Sequence, residues 1–122
     1  MAVMSKEEMG ATEALDAAGG LPRLPRRIPV GSRSYSIFRD KSVDGENIYA
    51  TCDYRNEEMR FSPTINARHT ARTFLHELVH AVCEEYRLGL AEDDIHRLSN
   101  GLVTVLQNLN FYPVELKLPD DP

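Results

Sequence analysis

In the run Thr73-Phe74-Leu75-His76-Glu77-Leu78-Val79-His80-Ala81-Val82, two imidazoles and a carboxylate stand in the order His-Glu-x-x-His. Imidazole nitrogen is a good zinc ligand, and on a helix a four-residue spacing stacks two side chains about one turn apart on the same face. His76 and His80 can therefore each offer one nitrogen to a single tetrahedral Zn2+ ion. Zinc lowers the pKa of a water it binds from about 15.7 towards roughly 7, and Glu77 is placed to take the proton as that water attacks a carbonyl. Protonated Glu77 can then pass the proton to the leaving amine. Asp at this position would have a shorter reach, and Gln would accept no proton. These residue types point to metal-assisted hydrolysis, with His76 and His80 as ligands and Glu77 as general base. The same letters arise by chance on solvated helix faces, so the surrounding elements carry much of the weight.

A catalytic zinc needs a third protein ligand and one open position. His96 is the expected third ligand, because a turn around Gly89 lets a second helix fold back across the first. Glu92 shares a face with His96 at i, i+4, while Asp93 and Asp94 lie close enough to compete. Any of these carboxylates can instead orient a ligating histidine through its other ring nitrogen. The plainer roles are helix capping for the acidic cluster and a solvated surface position for His96. Glu84 lies one turn beyond His80 and is as ordinary a surface residue as a supporting one. Cys83 is awkwardly spaced for ligation and reads as a buried thiol. His69 has no partner defined by spacing, and Tyr54 and Tyr86 read as tyrosines bordering a core.

The elements that must position these groups follow from periodicity. With about 100° of rotation per residue, Phe74, Leu75, Leu78, Val79, Val82 and Tyr86 form one apolar stripe and the two histidines project from another side. This helix is expected from the polar lead Thr64 to Thr70 as far as Tyr86 or Arg87, with Gly89 free to take the positive φ of a helix stop. A second helix is expected from Ala91 to Asn108, with Ile95, Leu98, Leu102, Val105, Leu106 and Leu109 at helical spacing. Its acidic first turn, Glu92-Asp93-Asp94, suits the positive end of the helix dipole. Upstream, Arg33 to Phe38 alternates polar and apolar side chains. Ile48 to Cys52 and Glu57 to Phe61 repeat that texture across the polar stretch Asp53 to Asn56, as an antiparallel hairpin would. The expected fold is α+β: a small antiparallel sheet of about three strands, then the His-Glu-x-x-His helix and a second packed helix.

The 122 residues, 42% of them hydrophobic, suffice for one compact core. The expected domain spans 28–112. Residues 1–27 read as a flexible tail and a Pro/Arg-rich connector, and 113–122 as a C-terminal tail. A net charge of -5 argues against a general nucleic-acid binder. There is no long apolar run to suggest a membrane partner, and the first twenty residues lack the basic start and apolar centre of a signal peptide. Cys52 and Cys83, the only cysteines, are too few for a disulfide framework. A cytoplasmic protein acting on a protein or peptide substrate is the expectation, with its oligomeric state open.

At His76-Glu77-Leu78-Val79-His80 the chain resembles the zincin metallopeptidases, a superfamily built around a helix of this pattern packed on a small sheet. Ile48-Tyr49-Ala50-Thr51-Cys52-Asp53-Tyr54, the helix, and Ile95-His96-Arg97-Leu98-Ser99-Asn100-Gly101-Leu102 are similar to small phage and prophage metallopeptidase-like proteins. The likeness spans roughly Ile48 to Leu109 and extends, more distantly, to SprT-like and ImmA/IrrE-like peptidases. It implies a zincin-like fold, zinc on His76 and His80, and Glu77 as the catalytic acid/base. For a phage-encoded chain it implies work in the host cytoplasm. In the small phage proteins the position matching His96 usually carries Glu, a departure that keeps a metal-competent side chain. The ImmA/IrrE-like register would align its downstream Glu with Asp94, and the downstream His motif of SprT-like proteins is not clearly present. A noncatalytic, zinc-stabilised regulator or interaction module of phage origin is the alternative reading.

Overall fold

The computed structural model describes residues 21–46 and 48–120. The expected N-terminal tail over 1–20 lies outside the described residues. In chain order the elements are β1 (Arg27–Val30), β2 (Arg33–Arg39), a 3-10 segment (Lys41–Glu46), β3 (Ala50–Asp53), β4 (Glu58–Phe61), α1 (Ala67–Glu85) and α2 (Glu92–Asn108). The chain is α+β, as its periodicities imply.

The sheet differs from the expected antiparallel three strands. It has four, in the order β1-β2-β4-β3, and β2 runs parallel to β4. The expected hairpin is present, with β3 antiparallel to β4 and Cys52 opposite Met59. The additional strand, β1, hides in a stretch rich in arginine and proline. It lies at the sheet edge, where the missing N–H of Pro29 forfeits no interior ladder bond.

Alternation along β2 and β4 aims Tyr35, Ile37, Met59 and Phe61 at one face, where each is at most 2% exposed. Ala71, Phe74 and Ala81 of α1 close over them in one core cluster. Each large apolar side chain so buried contributes roughly 1.5–3 kcal/mol. Two stretches read as peripheral also supply core residues: Leu24 from the connector, and Leu116 and Leu118 from the expected C-terminal tail. Backbone hydrogen bonds hold them, Leu24 N–H to Lys117 C=O at 2.8 Å and Leu116 N–H to Ala67 C=O at 3.0 Å. Both segments are too short for a periodicity to reveal them.

Asn66 caps α1, its side-chain oxygen accepting the His69 N–H at 2.9 Å. The helix stop sits on a different residue from the one expected: Arg87, with φ 55°, takes the left-handed conformation, and Gly89 does not. Leu88 N–H donates to Cys83 C=O at 2.8 Å and Arg87 N–H to Glu84 C=O, closing a Schellman motif. Tyr86 therefore falls past the apolar stripe and is 60% exposed. Along α2 the buried positions are Ile95, Ser99 and Val103, while Leu98, Leu102, Val105 and Leu109, expected to share the core face, are exposed. The helix meets α1 along a narrower stripe than its apolar content suggests. Among the described residues no helix is long and apolar enough to cross a membrane.

The β1–β2 loop is Gly31-Ser32, with φ 60° at Gly31, the pattern of a type II′ turn. Glu85, at the end of α1, fastens this turn: its Oε2 accepts the Ser32 N–H at 2.7 Å and the Ser32 hydroxyl at 2.8 Å. A Cβ on residue 31 would lie 2.5 Å from Glu85 Cγ. Gly31→Ala is therefore expected to lower stability by about 1–2 kcal/mol, read from urea denaturation. The two Ser32 bonds also hold the Glu85 carboxyl below its ordinary range. A depressed folded-state pKa gives stability that is present above the unfolded value and lost as pH falls through the folded one. Glu85→Gln is expected to flatten the acid limb of the stability profile, below the ordinary carboxylate range, and a limb unchanged in Glu85→Gln would contradict this.

Candidate metal centre

The turn after α1 reverses the chain so that the first residue of α2, Glu92, comes to lie against the histidine face of α1. His76 Nε2 lies 3.2 Å from His80 Nε2. Glu92 Oε1 is 3.1 Å from the first nitrogen, and Oε2 is 2.8 Å from the second. Ligand atoms of His76, His80 and Glu92 all fall within 4.8 Å of one another, the grouping among the described residues suited to a metal ion. Zinc bonds near 2.05 Å in a tetrahedron separate ligand atoms by about 3.3 Å. The spacing and the N/N/O donor set both fit zinc.

The far side of each imidazole is tied to a hydroxyl. His76 Nδ1 is 3.2 Å from Ser99 Oγ, and Ser99 donates its own proton to the His96 carbonyl at 3.1 Å. The Ser99 oxygen is thereby an acceptor, Nδ1 of His76 carries the hydrogen, and Nε2 is left with its lone pair. His80 Nδ1 is 3.2 Å from the Tyr54 hydroxyl. When Nδ1–H of His80 donates to the Tyr54 hydroxyl, its Nε2 is free in the same way. Burial and the neighbouring His80 lower the pKa of His76, against the opposing pull of Glu92, which favours the neutral, ligand-competent ring. Two imidazole nitrogens 3.2 Å apart beside a carboxylate can share one cation. Such hydroxyl partners fix ring orientation, so Tyr54→Phe and Ser99→Ala are each expected to weaken zinc binding by about 10–100-fold in chelator competition. Unchanged affinity in both would refute the tautomer assignment.

Glu77 is 7% exposed. Burial, reinforced by Glu92, pushes its carboxyl up to about 8; a cation at the histidines acts the other way, favouring the carboxylate. Glu77 and His76 border a cleft of about 360 Å³, together with Ile48 and Tyr49 just before β3, Ala50 at its start, and Arg72, Thr73 and His69 of α1. His96 and Asn100 of α2 complete its lining.

His96, the expected third ligand, is exposed, and its Nε2 is 3.2 Å from Asn100 Nδ2. Its ring stands edge-on to His76 with centroids 5.8 Å apart. It borders the candidate metal centre, whereas the Glu92 carboxylate contacts both histidines there. Asp94 pairs with Arg97 at 2.7 Å, and Asp93 is exposed. Cys83 is buried beside Val79 and Ile95, Glu84 is exposed, and His69 stacks on Tyr49 at 4.9 Å. Burial pushes the Cys52 thiol up to about 12, with Glu77 adding to the effect, which leaves it a poor nucleophile. Sequence reasoning assigned no role to Tyr54 and did not single out Ser99. An HxxY or HxxS rule could not have found either, because both contacts cross between elements. Compared with models of known protein families, with curated proteins and with solved structures, the chain matches none.

Proposed function

We propose that the chain is a zinc-dependent peptidase of the zincin type, with His76, His80 and Glu92 holding Zn2+ and Glu77 acting as general base. The observation that carries this reading is the convergence of three ligand side chains, with nearest contacts of 2.8–3.2 Å, beside a buried carboxylate at the edge of a cleft. Zinc, when bound, supplies a Lewis acid that polarises a carbonyl and acidifies a water. The chain's own residues do the rest. Ser99 and Tyr54 hold the rings through Nδ1 so that each Nε2 faces inward. Glu77, shielded from solvent, takes the proton of the attacking water and returns it to the departing amine, which lets the peptide C–N bond break without releasing an amide anion.

A protein or peptide substrate has an available path to this site. β3 forms one edge of the sheet, and its first residue, Ala50, lines the cleft together with Ile48 and Tyr49 just before it. An extended segment can add to such an edge through main-chain hydrogen bonds while the bond to be cut lies over Glu77. Cys52 and Cys83 are free thiols, consistent with work in a reducing cytoplasm, that of a host if the chain is phage-encoded. The test is hydrolysis of a quenched-fluorescent peptide library by zinc-loaded protein and its Glu77→Gln variant. No cleavage by either would return the chain to a noncatalytic, zinc-stabilised regulator.

A further inference from the structure

The cleft beside the candidate metal centre carries one permanent cation, Arg72, although the chain as a whole has a net charge of -5. Its lining includes the guanidinium of Arg72 and the imidazoles of His69, His76 and His96, and the only carboxylate among the lining residues is the buried Glu77. Arg72 is exposed, and among the described residues it makes no hydrogen bond or ion pair. Arg23, Arg60 and Arg97 pair with Asp120, Glu58 and Asp94; Arg26, Arg55, Arg68 and Arg87 resemble Arg72 in having no side-chain partner among the described residues, but they do not line this cleft. Arg72 precedes His76 by one helical turn, so both face the same groove. The neighbouring wall is flat and apolar, formed by Tyr49 stacked on His69 with an interplanar angle of 20°, with Ile48 and Ala50 beside it.

We propose that Arg72 makes this cleft selective for peptides that carry a carboxylate close to the bond lying over Glu77. This rests on the peptidase reading of the same site and adds its substrate class. A guanidinium fork matches a carboxylate with two parallel N–H···O bonds, whereas an amide or an ammonium offers it no such partner. Helical side chains lean towards the helix N-terminus, so the Arg72 head group reaches away from His76 and His80. The matching carboxylate therefore sits about one or two residues, roughly 3–7 Å, from the bond to be cut. An acidic side chain or the substrate's own C-terminus can supply it.

The experiment measures binding, not turnover. Zinc-loaded Glu77→Gln protein is titrated, by fluorescence anisotropy, into labelled ten-residue peptides capped at both ends, with Glu-Glu, Gln-Gln or Lys-Lys at the centre. A shortened Gln-Gln peptide with a free C-terminus distinguishes a chain-end carboxylate from a side-chain one. The Glu-Glu peptide, the free C-terminus or both should bind about five-fold more tightly than the capped Gln-Gln peptide, and high salt should erase the difference. Adding Arg72→Gln should abolish the preference and adding Arg72→Glu should invert it towards Lys-Lys, with helix content and zinc stoichiometry unchanged. Equal affinities, a preference that survives Arg72→Gln, or no binding of any peptide up to millimolar concentration would overturn the proposal. Acid-selective binding without hydrolysis by the wild type would remove only the peptidase reading. Hydrolysis without acid selectivity would remove only the role of Arg72.

Discussion

Glu77→Gln is expected to reduce peptide hydrolysis by about 10²–10⁴-fold while zinc remains bound, since that is the usual contribution of a positioned general base. The substitution keeps the shape of the side chain and removes its basicity. It also removes a buried ionisable group whose carboxyl is pushed up to about 8 by burial and by Glu92, so the variant should fold at least as well as the wild type. A raised folded-state pKa on a carboxylic acid destabilises the protein once the pH exceeds the unfolded value, because folding then requires protonation or a desolvated charge. In metal-free protein, Glu77→Gln should therefore flatten the decline of stability above the ordinary carboxylate range. Lost hydrolysis with retained zinc supports the general-base role, and unchanged hydrolysis would remove it.

His80→Ala is expected to lower zinc affinity on the order of 10³-fold, the share of one ligand in three if a site is worth about 12 kcal/mol. The consequence can be read as stability. Ligand that binds only the native state adds about 4 kcal/mol when present at a thousand times its dissociation constant. Zinc should thus raise the melting temperature of the wild type and leave that of His80→Ala nearly unmoved. The apo forms should differ little, because His80 is only part-buried and the Tyr54 hydroxyl it contacts can turn to water. Equal zinc-induced shifts in the two proteins would show that the ion binds elsewhere.

The helical half of the fold was legible because its signals are local. Four-residue histidine spacing, an apolar stripe on the opposite side and an acidic first turn place α1 and α2 within a few residues of their observed ends. The β3–β4 hairpin was legible for the same reason. What crosses between elements was not. The parallel pairing of β2 with β4 joins segments separated by β3, and the burial of Leu24, Leu116 and Leu118 depends on the segments around Leu24 and Lys117, far apart in sequence, meeting beside the sheet.

Within the site, His76, Glu77 and His80 follow from helix geometry alone. Which of Glu92 and His96 lies against the two histidines did not, because both occupy one face of α2 and their placement depends on how that helix sits along α1. That placement is set by the Schellman turn at Arg87 and by Ile95 packing on Val79 and Cys83. A left-handed arginine in place of the nearby glycine is a tertiary outcome that residue preference disfavours. Similarly, α2 presents two apolar stripes, and spacing does not say which one α1 covers.

The most direct test of the centre is zinc content by mass spectrometry after removal of loosely bound metal, in wild type, His76→Ala, Glu92→Ala and His96→Ala. The expected result is about one zinc per chain in the wild type and in His96→Ala, and little in His76→Ala or Glu92→Ala. A wild type that cannot be loaded with zinc, or a site lost in His96→Ala and kept in Glu92→Ala, would contradict it.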